Sequence, residues 1–171
     1  MKAYMGLNCK SGAYHEVLKK LIFDFNIDQQ NLFLLFGPVD ILISFPDLAN
    51  VEEFYKKWIN PIRMIDSQHD SITKTISLIA ATEGPALAEK PFAFLFLNTK
   101  PQSTEDVRTK LLTLPEVLSA DIVLGPFDVL CSIKAKDRED LETSVLLIQK
   151  ITGVENSVTS IVSPKRVLPE W

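Results

Sequence analysis

GPVDIL at residues 37–42 and GPFDVL at residues 125–130 are one hexapeptide written twice. Gly-Pro is turn chemistry, because Gly tolerates positive φ and Pro fixes its own. An apolar run precedes each copy: Leu32 to Phe36 in the first, Ile122 to Leu124 in the second. Another follows each: Ile41 to Ile43, and Val129 to Ile133. Strand, tight turn and strand make a β-hairpin. Two such hairpins in one chain point to an internal duplication.

Working outward, the same element order surrounds both hairpins. The first strand spans Lys2 to Asn8, and Ser11 has the chemistry of an N-cap. Tyr14, Val17, Leu18, Leu21 and Ile22 then recur at helical spacing. Strands are predicted over Gln30–Phe36 and Val39–Phe45. Asn50 with Glu53 three residues later resembles a capping box. It opens a helix marked by Phe54, Trp58, Ile59 and Ile62, which Pro61 is expected to kink or end. Ile72–Ile79 closes the unit as βαββαβ. Residues 80–91, AATEGPALAEKP, read as a linker between a first unit at 1–79 and a second at 92–162. In the second unit, Ser103 and Asp106 are expected to cap one helix and Asp137 the other, and Gly153 stops the last helix before a strand from Glu155 to Val162. Residues 163–171 form a tail whose Val167-Leu168-Pro169-Glu170-Trp171 could dock on a neighbour. AYMGLNCK at 3–10 also aligns with AFLFLNTK at 93–100, so only small insertions separate the copies.

Composition narrows the class. The chain has 171 residues, 46% hydrophobic and 23% charged, which suits a globular protein. No apolar run is long enough to span a bilayer, and the N-terminus lacks a signal layout. Cys9 and Cys131 are the two cysteines, too few for a disulfide framework, and a reducing cytoplasm is expected. Net charge is −4, and the only basic pair in the tail is Lys165-Arg166, so direct nucleic-acid binding is not expected.

A βαββαβ sheet with helices on one face should be polar on the other. Here it is not. Val39, Ile41, Ile43 and Phe45 share one face, yet Leu42 lies on the other; Ala93, Leu95 and Leu97 oppose Phe94 and Phe96. The second face needs a cover, and the simplest is the other copy's sheet. The expected fold is therefore α+β: two ferredoxin-like repeats forming an intramolecular dimeric α/β barrel, a pseudo-dimer.

These residues resemble a family. Ala93 to Val162 is similar to the effector-binding, or RAM, domain of the Lrp/AsnC transcription regulators. The resemblance lies in the strand opening AFLFLNTKP, the helix ending before Leu114-Pro115-Glu116-Val117, the Gly-Pro-Phe-Asp hairpin, and Ile151-Thr152-Gly153-Val154-Glu155 leading into a strand with Thr159. The first half looks like a diverged copy, keeping Asn8, Gly37, Asp40 and Thr75. The resemblance implies a dimeric α/β barrel, higher assembly, and sensing of a small molecule near hairpin turns. The chain departs in opening on a strand rather than a helix-turn-helix, and in carrying two sensing domains, so DNA binding is not carried over.

Strand alternation places the first strand's end, the hairpin turn and the loop before the last strand on one edge. In the first copy this edge gathers Asn8, Cys9, Gly37, Asp40, His69 and Asp70, with His15 in the nearby helix. In the second it gathers Asn98, Thr99, Lys100, Gly125, Asp128 and Thr152. Asn8, Gly37, Asp40, Asn98, Gly125 and Asp128 are the candidate ligand-binding residues, each Asp accepting from a ligand amine. The plainer reading of each Asp is a cap on its own turn. Cys9, His15 and His69, with Met64 nearby, are candidate ligands for copper or zinc, although no CxxC or HxxxH spacing supports them. Trp58, Tyr55 and Phe54 read as helix packing. No nucleophile–base signature and no phosphate loop is present, so a non-enzyme is expected. The leading reading is a regulator that binds an amino-acid-like effector and acts through oligomerisation or a partner protein. The alternatives are a copper or zinc regulator and an oxygenase-like barrel enzyme.

Overall fold

The computed structural model describes residues 1–84 and 87–164. The tail residues Lys165-Arg166 and Val167 to Trp171, and Pro85 and Ala86 of the expected linker, lie outside the described residues. Chain contacts define two units: Met1–Ile79 together with the segment from Ser163, and Ala80–Val162.

The first unit carries β1 (Ala3–Cys9), α1 (Tyr14–Phe23), β2 (Leu32–Phe36), β3 (Ile41–Phe45), a helical run α2 at 51–63, and β4 (Ile72–Ala80). Its strands are antiparallel in the order β4-β1-β3-β2. Met5, Leu7, Ile41, Ile43 and Phe45 face Val17, Leu18 and Leu21 of α1 and Phe54 and Ile62 of α2. Burying one such side chain contributes about 1.5–3 kcal/mol. Tyr4, Phe33, Leu42 and Leu78, on alternate strand positions, are buried too, so the sheet is apolar on both faces.

Three local expectations are corrected. Ser11 does not cap α1; the N-cap is Ala13, without a side-chain bond, because Gly12 at φ +80° turns the chain first. The second and third strands begin later than their hydrophobic patterns suggest: Asp28 caps a 3-10 turn at Gln29–Asn31, and β3 starts only at Ile41. Pro61 does not end α2 but sits in the first turn of its last segment, Asn60–Arg63. Just before it, Phe54–Ile59 widens into π-helix, with the Asn60 amide donating to the Tyr55 carbonyl five residues back. The widened turn accommodates a ring that cannot donate and that crowds the carbonyl four residues earlier. The capping box at Asn50 and Glu53 forms, with Glu53 N donating to Asn50 Oδ1 (2.9 Å) and Ala49 N to Glu53 Oε2 (2.7 Å).

The second unit carries β5 (Ala93–Thr99), α3 (Thr104–Thr113), β6 (Val117–Leu124), β7 (Val129–Ile133), α4 (Arg138–Gln149) and β8 (Val154–Val162). Its antiparallel order is β8-β5-β7-β6. The registers correspond strand by strand: Ala3 opposes Phe45 as Ala93 opposes Ile133, and Leu7 opposes Ile41 as Leu97 opposes Val129. Ser103 is the N-cap of α3 but makes no side-chain cap bond. Asp137 caps α4 as expected, accepting from Asp140 N at 2.9 Å. Both units are α+β, with eight antiparallel strands between them.

Candidate functional site

The candidate ligand residues come together at one edge of each sheet. β1 shifts register between Asn8 and Cys9, and β5 shifts between Asn98 and Thr99. Such a bulge takes one backbone group off the ladder. In the first unit the freed Cys9 amide donates to Asp40 Oδ2 at 2.8 Å. In the second the Thr99 amide donates to Asp128 Oδ2, also at 2.8 Å. Asn8 Nδ2 donates to the Pro38 carbonyl (2.6 Å), as Asn98 Nδ2 does to the Pro126 carbonyl (3.1 Å). The Asp40 amide reaches Leu7 O (3.0 Å) and the Asp128 amide reaches Leu97 O (2.9 Å). Gly37 and Gly125 hold φ of 156° and 155°, a region L side chains rarely adopt.

Each Asn and Asp therefore clasps the strand end to the hairpin turn, and one oxygen of each carboxylate serves the neighbouring strand rather than its own turn. A buried amide left without an acceptor costs about 1–3 kcal/mol, which gives the clasp its weight.

Around the clasp the two edges differ. Lys10 N donates to Ser71 O (2.9 Å) and Lys100 N to Gly153 O (2.8 Å), so Ser71 and Gly153 occupy equivalent positions. In the first unit the Ser71 hydroxyl donates to Asp66, whose other oxygen lies 2.6 Å from His69 Nδ1. Asp66 and Asp70 adopt left-handed backbone, φ 48° and 51°. The Ser71 hydroxyl, and after it the His69 ring, hold the Asp66 carboxyl below the usual carboxylate range. Half-burial, and then the nearby Asp40 charge, push the Cys9 thiol up to about 11, so it stays protonated at neutral pH. His15 packs edge-on against Tyr14, with ring centroids 5.8 Å apart. Among the described residues, no group of three or more His, Cys, Asp or Glu is placed to hold a metal ion.

In the second unit Thr99, at the position of Cys9, bonds Thr104 at the start of α3, Oγ1 to Oγ1 at 2.7 Å. Gly153, at φ +103°, packs so closely that a Cβ there would stand 2.5 Å from Ser103 Cβ. Strand end, helix start and loop are thereby one tight assembly. The pattern in the sequence singles out Thr99 and Gly153 but not Thr104, whose spacing from Thr99 matches neither a helix nor a strand. A second polar group, inside the sheet, also escapes the pattern. Asp121 is fully buried, takes the Gly84 amide at 2.5 Å, and lies on the strand that carries the buried Ser119–Ser132 hydroxyl pair.

An α+β protein of two units, each with a clasped hairpin edge, is the class these observations define. Residues 92–168 match the model of the Lrp/AsnC ligand binding domain, just under half of the chain. That segment is similar to such a domain, in line with the hairpin resemblance. The HTH-type transcriptional regulator FL11 of Pyrococcus furiosus is 29% identical over 83 residues, covering 48% of this chain and 55% of that protein. The chain spans about half the length of the curated relatives it matches.

Fold likeness extends further. The siroheme decarboxylase NirDL aligns over 98% of this chain and 72% of its own, with a TM-score of 0.66 and 7% identity. A proposed monooxygenase from Lactobacillus acidophilus aligns over 95% of this chain and 92% of its own, with a TM-score of 0.55 and 10% identity. The expectation of a non-enzyme is corrected by these neighbours. A missing nucleophile–base motif does not argue against catalysis in a fold that a decarboxylase shares. Among the described residues, no helix is long and apolar enough to cross a membrane.

Proposed function

We propose that this chain is a small-molecule-sensing regulatory protein. It binds an amino-acid-like effector at a hairpin edge and responds by changing its self-association or its hold on a partner protein. The observation that carries this reading is the match of residues 92–168 to a ligand binding domain of regulators. The clasped edge supports it, because a rigid frame lowers the cost of ordering a bound ligand. We further propose that the two units are tandem copies of one ferredoxin-like unit, which the shared registers and the repeated clasp support.

A thermal-shift screen against the twenty L-amino acids tests the effector. A ligand at a hundredfold excess over its Kd stabilises by about 2.7 kcal/mol. Stabilisation by one or a few amino acids is expected, and none from the whole panel would remove the reading. Size-exclusion chromatography with and without the stabilising compound then reads the response. A second reading, catalysis, is supported by the likeness in fold to a decarboxylase over nearly the whole chain. A visible-range chromophore in the purified protein would favour it.

A further inference from the structure

We infer that the second hairpin edge is tied by side chains to the start of α3, so that a change at this edge is passed to the helix. Resting on the sensing reading, α3 is then the element through which an effector at that edge reports. The first unit does not make the matching tie to α1.

The tie starts at the clasp. The Asp128 carboxylate holds the Thr99 amide at 2.8 Å, and the Thr99 hydroxyl meets that of Thr104 at 2.7 Å. Thr104 donates to the Pro101 carbonyl at 3.4 Å. Its one proton is thereby taken, and Thr99 is the donor between the two. Thr99 is only 4% exposed, and a hydrogen bond shielded from water is stronger for it. The loop bears on the same place. A Cβ at Gly153 would stand 2.5 Å from Ser103 Cβ and 3.1 Å from Val107 Cγ2, while the Gly153 carbonyl takes the Lys100 amide at 2.8 Å. Hairpin, strand end and loop all converge on the first turn of α3.

The first unit has the clasp without this tie. The Ala13 amide reaches Lys10 O (2.9 Å) as the Ser103 amide reaches Lys100 O (2.8 Å), so Tyr14 stands where Thr104 stands. Its ring is 45% exposed and lies edge-on to His15. Cys9 stands where Thr99 stands, and among the described residues no hydrogen bond joins it to Tyr14. The N-cap of α1 makes no side-chain bond. A Cβ on Gly12, in the same connection, would meet nothing within 4 Å. Packed, hydrogen-bonded groups carry a displacement between elements; an open connection does not.

The test is hydrogen exchange of the full chain, read at the equivalent amides Val107 in α3 and Val17 in α1. Each is normalised to its intrinsic rate and to a control in the other helix of its unit, Ile148 or Ile62. Asp128→Ala and Asp40→Ala release the two strand ends. Asp128→Ala should cut protection at Val107 about tenfold, the worth of one buried hydrogen bond, whereas Asp40→Ala should move Val17 by less than about twofold. With Thr104→Val, Asp128→Ala should no longer move Val107; with Thr104→Ser, which keeps the hydroxyl, it should. Asn98→Ala and Asn8→Ala, at the exposed half of the clasp, take the place of any aspartate variant that does not fold. Equal losses at Val107 and Val17, no loss at Val107, or an undiminished loss with Thr104→Val would each overturn the inference. None of these measurements uses a ligand. A screen in which no amino acid binds would therefore remove the sensing reading and leave the tie standing.

Discussion

At the ends of β1 and β5 the chain makes the same clasp: Asn to the Pro carbonyl, and Asp to the amide freed by a bulge. One loop away the two units part. Where the first has Asp66, His69 and Ser71 bonded to one another, the second has Gly153 pressed onto Ser103. The clasp ties the strand end to the hairpin, and either unit that lost it would leave a strand-end amide without its acceptor. The loop before the last strand is built differently in the two units: a tightly seated glycine in one, and in the other a polar knot in which Asp66 bonds both Ser71 and His69. Shared geometry here marks what the fold requires, and divergent geometry marks where function has room to change.

The largest effect that could break this comparison is at Gly153. Gly153→Ala places a methyl group 2.5 Å from Ser103 Cβ at φ +103°. Strained backbone and overpacking together should cost about 2–4 kcal/mol, read as a shift in urea midpoint at unchanged slope. Ser71→Ala, the equivalent position in the first unit, removes one hydrogen bond and should cost about 1 kcal/mol. If the two variants proved equal, the second loop would not be the tighter one.

Next is the thiol at the first edge. Cys9 is pushed from 9.0 up to about 11. At neutral pH it should hold about a hundredfold less thiolate than an ordinary cysteine and alkylate more slowly in proportion. Because the folded value is raised, the contribution is complete below pH 9 and is lost as pH rises towards 11. Cys131 is fully buried, so slow labelling by iodoacetamide in the native protein reports Cys9. Rapid labelling at neutral pH would show a Cys9 thiol less buried than its place beside Asp40 implies.

The clasp itself sharpens the shared half of the comparison. Asp40→Ala and Asp128→Ala each leave a strand-end amide without its acceptor, and each should cost about 1–2 kcal/mol in thermal or urea unfolding. The two should agree closely. A much smaller loss at one of them would mean that only one unit needs its clasp.

How much of this could be read from the residues follows from what each feature depends on. The repeated GPxD hexapeptide placed both hairpins and, through AYMGLNCK and AFLFLNTK, aligned the first strands; the registers follow from that. The edge was legible for the same reason, since strand direction alone gathers Asn8, Gly37 and Asp40. What the Asp side chains do there was not, because a bulge at Asn8/Cys9 has no signature in residue type. Nor was the knot, which needs left-handed backbone at Asp66 and Asp70, residues that adopt it only when their surroundings demand it. Pro61 was expected to kink or end the helix; it does not end it, and a π-helical turn just before it absorbs the ring. The thiol, imidazole and thioether at Cys9, His15, His69 and Met64 suggested a metal by composition; the His69–Asp66 pair was not legible, because it depends on the loop's backbone.

The smallest expected effect separates the two loops by acid. Asp66 lies below its ordinary value of 3.8, because Ser71 and then His69 hydrogen-bond its charged form. Its folded pKa is depressed, so its contribution is present above that ordinary value and is lost as pH falls through the lowered one. Acid should therefore loosen the first unit's loop before the second's, where Gly153 carries no carboxylate. The Lys10 amide, bonded to Ser71 O, and the Lys100 amide, bonded to Gly153 O, are matched reporters of the two loops. Hydrogen exchange at both, each normalised to its intrinsic rate, should show Lys10 losing protection relative to Lys100 as pH falls below the ordinary value of 3.8. Asp66→Asn should abolish the difference. Equal loss at the two amides would mean that the knot does not hold the first loop, and the contrast between the edges would then rest on Gly153 alone.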